Sequence, residues 1–137
     1  MMLAQDVMTA DPIRAEEDTP LSEALATMSE HDIRHLPVVR NEELIGIISD
    51  RDIRSLGVSL VNDEQTLQAL RQRMSRTVSE VMEGPVISVE SDTELDEVIE
   101  VMVEEKVGAL PVVEPGSMHL VGIISVLDVL KASRGLS

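Results

Sequence analysis

The chain spells one pattern twice, and that repetition limits the folds open to it. Leu36-Pro37-Val38-Val39 returns as Leu110-Pro111-Val112-Val113, and Ile45-Gly46-Ile47-Ile48-Ser49 returns as Val121-Gly122-Ile123-Ile124-Ser125. An aspartate stands three residues beyond each serine, Asp52 and Asp128. Upstream, Val7-Met8 matches Val81-Met82, Asp18-Thr19 matches Asp92-Thr93, Leu21 matches Leu95, and Met28 matches Met102. These matched positions stand 74 to 76 residues apart. Two copies of one unit predict a module with internal pseudo-twofold symmetry. A cleft between the copies is then the natural place for a ligand.

Composition narrows the chemistry. With 137 residues and 43% hydrophobic content, the chain suits one compact domain. It has no Cys, which excludes disulfides and thiolate chemistry. It has no Phe, Trp or Tyr, so a ring ligand must be gripped by aliphatic side chains and backbone groups. The net charge of −15 argues against nucleic acid, whose phosphates recruit Lys and Arg. Residues 1–76 hold eight of the eleven basic residues, so cations for an anionic ligand must come from the first copy. The longest apolar runs, around Ile45 and Val121, fall short of the ~20 residues of a membrane helix. No basic-then-apolar leader precedes Ala10. A cytoplasmic protein without membrane contact is expected.

Each copy reads as strand, helix, strand, strand, helix. Ile13 and Val86-Ile87-Ser88-Val89 read as first strands. Thr19-Pro20 and Asp92-Thr93 put capping types ahead of Leu21, Ala24, Leu25 and Met28, and of Leu95, Val98, Ile99 and Met102. These apolar steps of three and four predict helices with one buried face, with Met28 and Met102 as core filler. Leu-Pro-Val-Val and the run ending at Ser49 or Ser125 predict a hairpin, turning at Asn41-Glu42-Glu43 and at Pro115-Gly116-Ser117. Second helices start at Asp50 and Val126. The expected division is 1–60, a linker at 61–76 with a helix from Gln65 to Met74, and 77–137. The fold class is α/β (α+β), with a small mixed sheet in each copy.

These motifs, in this order and in two copies, resemble the CBS domain, and the tandem resembles a CBS pair, or Bateman module. The resemblance covers nearly the whole chain except 55–76 and the tail after Lys131. It implies a regulatory module rather than an enzyme, binding AMP, ADP or ATP, with S-adenosylmethionine or NAD as alternatives. It implies no obligatory cofactor, although Mg²⁺ would accompany ATP on so acidic a chain. It also implies energy sensing, a homodimer, and a protein partner regulated in trans.

The resemblance assigns roles residue by residue. Asp52 and Asp128 would each accept hydrogen bonds from both ribose hydroxyls, as an ionised carboxylate can. Ser49 and Ser125, where strand becomes helix, would face phosphate. Ser-x-x-Asp is equally a capping box, and both roles are compatible for the serines. Arg34 and His35 would face phosphates, whereas their counterparts Gly108-Ala109 carry no charge. Arg51 is a further phosphate candidate, or a partner of Asp50 or Glu42. The better site would join Ser49, Asp52, Arg34 and His35 to Pro85, Val86 and Ile87. The poorer one would join Ser125 and Asp128 to Pro12 and Ile13.

Two other chemistries find little support. His31-Asp32-Ile33-Arg34-His35 resembles a zinc-binding His-x-x-x-His helix, but Pro37 follows too closely for His35 to stay helical. No serine sits in a nucleophile elbow. The alternative to ligand sensing is a ligand-free dimerisation or interaction module, in which the serines only cap helices.

Overall fold

The apolar periodicity is realised as two small α+β assemblies, each with its own core. The computed structural model of the chain describes residues 1–57, 64–82 and 85–135. The expected boundary at 60 and 61 lies outside the described residues, as do the last two residues of the second motif.

The elements follow the expected order with additions. They are α1 (Ala4–Val7), β1 (Thr9–Ala10), β2 (Ala15–Glu16), α2 (Leu21–Glu30), β3 (His35–Arg40), β4 (Glu43–Ser49) and α3 (Asp50–Arg54). A 3₁₀ turn, Ser55–Gly57, precedes α4 (Glu64–Met74) and α5 (Val78–Val81). Then come β5 (Val89–Glu90), α6 (Leu95–Glu105), β6 (Ala109–Val113), β7 (Leu120–Ser125) and α7 (Val126–Gly135). The first-motif unit comprises Ile13–Arg40 and Ile45–Val86. The second-motif unit comprises Met1–Pro12, Asn41–Leu44 and the chain from Ile87 onward. Thus the opening segment of each motif clusters with the rest of the other motif.

In the first-motif unit, β2 pairs parallel to β3, Ala15 opposite Val38, and β4 lies on the other side of β3. Leu21, Ala24 and Met28 of α2 meet Leu36, Val38, Ile48, Ile53 and Val78 in a closed core. In the second-motif unit the sheet order is β1-β7-β6-β5, with β5 parallel to β6 and β7 antiparallel to both neighbours. Leu95, Val98 and Met102 of α6 meet Ala4, Val89, Leu110, Val112 and Ile124. Met28 and Met102 are core residues, as their spacing predicts.

Two local expectations are corrected. Thr19 and Asp92-Thr93 do not cap α2 and α6. The N-cap residues are Pro20 and Glu94, and neither makes a side-chain cap. The threonines instead close the preceding turns, Thr19 Oγ1 accepting from Glu16 N–H and Thr93 Oγ1 from Glu90 N–H, both at 3.1 Å. A first-turn donor of each helix is satisfied by distant backbone: Leu21 N–H donates to Arg76 O (2.8 Å) and Leu95 N–H to Met2 O (2.9 Å). Nor do Ile13 or Val86 to Ser88 form strands. The parallel ladders start at Ala15 and Val89, because the next partners upstream would be Pro37 and Pro111, which have no N–H to give.

The exchanged segments explain two glycines. A Cβ on Gly46 would overlap the Met82 thioether, and one on Gly122 would overlap that of Met8 and come within 3.1 Å of Thr9 O. Each Val-Met pair therefore seats its methionine where a β-strand lacks a side chain. The first hairpin turns through Asn41 and Glu42, both at positive φ, 52° and 66°. That is the type I′ geometry, in which glycine is preferred at the second position. Glu42→Gly is expected to stabilise the chain by about 1 kcal/mol, raising the melting temperature by roughly 3 °C. Differential scanning calorimetry of the variant would check this, and an unchanged or lower midpoint would contradict it.

Candidate functional site

The two Ser-x-x-Asp motifs fold identically. Ser49 N–H donates to Asp52 Oδ2 (3.1 Å) and Asp52 N–H donates to Ser49 Oγ (3.0 Å) at the start of α3. Ser125 N–H donates to Asp128 Oδ2 (2.9 Å) and Asp128 N–H to Ser125 Oγ (3.1 Å) at the start of α7. These are reciprocal capping boxes. In each, the second carboxylate oxygen takes no hydrogen bond among the described residues, so one acceptor remains for a ligand. Asp52 is exposed and Asp128 half-buried.

Backbone bonds bring the preceding strand to each helix start. Asp50 N–H donates to Arg34 O, and Val126 N–H to Gly108 O, both at 3.0 Å. Arg34, His35, Ser49 and Asp52 thereby gather around one turn of chain. The Arg34 guanidinium pairs with Asp50 (3.3 Å), and Arg54 approaches the same oxygen (3.7 Å). Arg54 escaped the sequence reading, although its i,i+4 spacing from Asp50 was available as a signal. Arg51 is exposed and makes no ion pair among the described residues, so Asp50 is shared by Arg34 and Arg54 instead. With Leu25, Met28 and Ile33, the Arg34–Asp50–Arg54 cluster lines a cavity of about 170 Å³. That is below the ~300–1,000 Å³ of ligand pockets, and fits a small charged group rather than a nucleoside.

His35 is half-buried, and burial pushes its imidazole below the usual histidine range. Asp50 and Asp52 pull the other way, and Arg34 adds to the lowering. Near neutral pH this ring is a neutral donor and acceptor, which leaves the positive charge to the arginines. His31 ends α2 and His35 opens β3, so the two imidazoles do not share a helix face. Among the described residues no group of three or more His, Asp or Glu could hold a metal.

Of the expected base-side residues, Pro85 is exposed and Val86 and Ile87 half-buried. Pro85 and Val86 fall in the same compact unit as Arg34, His35, Ser49 and Asp52, while Ile87 opens the other. Pro12, which is buried, falls in the unit of Ser125 and Asp128, and Ile13 does not.

Comparison with known proteins adds to this geometry. The family pattern of the CBS domain matches residues 4–59 and 78–135. The chain is 32% identical over 132 residues to inosine-5'-monophosphate dehydrogenase of Methanocaldococcus jannaschii, covering 96% of this chain and 23% of that protein. Thus it spans about a quarter of that relative's length. Hypoxic response protein 1 of Mycobacterium tuberculosis is 30% identical, with 96% of this chain and 85% of that protein covered. The crystal structure of that protein with two coordinated zinc ions superposes at a TM-score of 0.77 and 28% identity, over 95% of this chain and 98% of that one. The CBS domain pair of protein MJ0100, solved with 5'-methylthioadenosine and S-adenosyl-L-methionine, superposes at 0.79 and 28% identity, over 100% and 99%.

Proposed function

Since this chain belongs to the CBS domain family, we propose that it is a regulatory module that senses an adenosine-containing ligand. The observation that carries this is the pair of Ser-x-x-Asp turns, each with one carboxylate oxygen left to accept. The similar pair of protein MJ0100 holds adenosine-bearing ligands, which supports the same class here. Asp52 and Asp128 take the ribose hydroxyls. Arg34 and Arg51, with Ser49 and neutral His35, take the phosphates of the first site. Ser125 serves the second site, which lacks a matching cation. Pro85, Val86 and Ile87, and Pro12 and Ile13, take the bases. AMP, ADP or ATP fits the cationic first site, ATP together with Mg²⁺, and S-adenosylmethionine or NAD is the alternative. The module performs no chemistry, works as a homodimer in the cytoplasm, and passes its state to a protein partner.

Satisfied capping boxes also favour a second reading, a ligand-free interaction module in which Ser49 and Asp52 only cap α3. A thermal-shift panel of AMP, ADP, ATP, S-adenosylmethionine and NAD separates the two. A ligand at a hundred times its Kd is expected to stabilise the wild type by about 2.7 kcal/mol. Asp52→Ala should lose the ligand-induced shift of the first site, beyond the ~0.5–2 kcal/mol that a lost cap costs without ligand. A flat response to all five ligands would leave the interaction module.

A further inference from the structure

The small cavity at the end of α2 sets charges of both signs around an apolar floor. Leu25, Met28 and Ile33 make the floor. Arg34 and Arg54 stand around it together with Asp32 and Asp50, two cations and two anions. One oxygen of Asp50 meets both guanidiniums, at 3.3 and 3.7 Å. The other accepts nothing among the described residues, and Asp32 forms no ion pair there. The Arg34 and Arg54 side chains are 77% and 63% exposed, so most of their N–H donors are left to water or a ligand.

The repeat supplies an internal control. The positions of Asp32, Arg34, Asp50 and Arg54 are held in the second motif by Lys106, Gly108, Val126 and Leu130. Asp32 and Lys106 occupy the same left-handed turn, at φ 52° and 57°. That turn accepts either residue, so the backbone does not require a carboxylate at position 32. Nor does the start of α3 require Asp50 or Arg54, since Ser125 and Asp128 form the same capping box at α7 beside Val126 and Leu130. The four charges therefore belong to this cavity and not to the fold.

We infer that the cavity binds a free α-amino acid with a short aliphatic side chain, taken as its zwitterion. The ligand carboxylate accepts from Arg54 and Arg34. The ammonium donates to Asp32 and to the open oxygen of Asp50, and the side chain covers Leu25, Met28 and Ile33. A phosphate or other pure anion would be repelled by Asp32 and Asp50, and a simple cation by the two guanidiniums. The net charge of −15 repels anions from a distance as well, whereas a zwitterion carries no net charge. At about 170 Å³ the cavity has room for about six waters of ~30 Å³ each. That bulk suits valine or isoleucine. The inference does not rest on the adenosine reading, in which Asp32 and Arg54 have no part.

The test is isothermal titration of the full chain with L-valine, which should show saturable binding at one site. Three analogues each lack one contact: isovalerate the ammonium, valinamide the carboxylate, and glycine the side chain. Each should bind at least about tenfold more weakly than valine. Asp32→Asn and Arg54→Gln should each weaken valine by a similar factor. Both side chains are exposed, so circular dichroism should report an unchanged fold. The analogues test the same contacts on the wild type should either variant unfold. Absence of saturable valine binding would overturn the inference. So would isovalerate or valinamide binding as tightly as valine, or full affinity in both folded variants. A wild type that binds valine but answers none of the five adenosine ligands would overturn only the adenosine reading.

Discussion

Ile124→Ala is expected to lower the unfolding free energy by about 2–5 kcal/mol. Ile124 lies in the middle of the antiparallel pairing between β6 and β7, opposite Leu110, and is fully buried. It meets Ala4, Val98 and Val112 in the second-motif core. Truncation removes three carbons from contact on every side, and a strand held by neighbours on both edges collapses little into the space. Its counterpart Ile48 is equally buried in the first-motif core and should cost a similar amount. The two cores share no residue. The double variant should therefore lose the sum of the single effects to within about 0.5 kcal/mol. Urea unfolding of the three variants would decide; a loss below about 1 kcal/mol for Ile124→Ala would refute the packing described.

The second large effect is expected at the strand glycines, and it should be unequal. Gly122→Val places a branched side chain where Met8 and the Thr9 carbonyl already sit, at a cost of about 3 kcal/mol. At Gly46 the three atoms nearest an added Cβ all belong to Met82, whose flexible side chain can retreat. Gly46→Val should cost less. Pairing it with Met82→Ala should recover much of the loss, whereas Met8→Ala should rescue Gly122→Val only in part, because the Thr9 backbone cannot move aside. The coupling energies of the two double-mutant cycles measure this difference. Equal rescue at both sites would contradict it.

These effects show where the sequence was readable. The capping boxes, the hairpins, and helices α2 and α6 followed from local spacing, since Ser-x-x-Asp and the three-and-four apolar steps act over a few residues. The short helices α1 and α5 did not, because four residues carry no helical period. Thr19 and Thr93 were misjudged as caps because the donors they might have satisfied go to Arg76 and Met2, far along the chain. Val86 to Ser88 alternate well, yet Pro111 denies them a partner. At the candidate site, Arg34 and His35 were legible as residues. The downward push that burial gives the His35 imidazole was not, since it depends on how much protein surrounds the ring.

The swapping of leading segments has a consequence for biosynthesis. On a ribosome, Thr9 emerges long before Ile123, the residue it will pair with. At about 5–20 residues per second, it waits for many seconds without a companion. Residues 78–82, by contrast, find the older half already translated and can seal it at once. Residues 78–82 can thus pack onto their unit while residues 1–12 still await theirs.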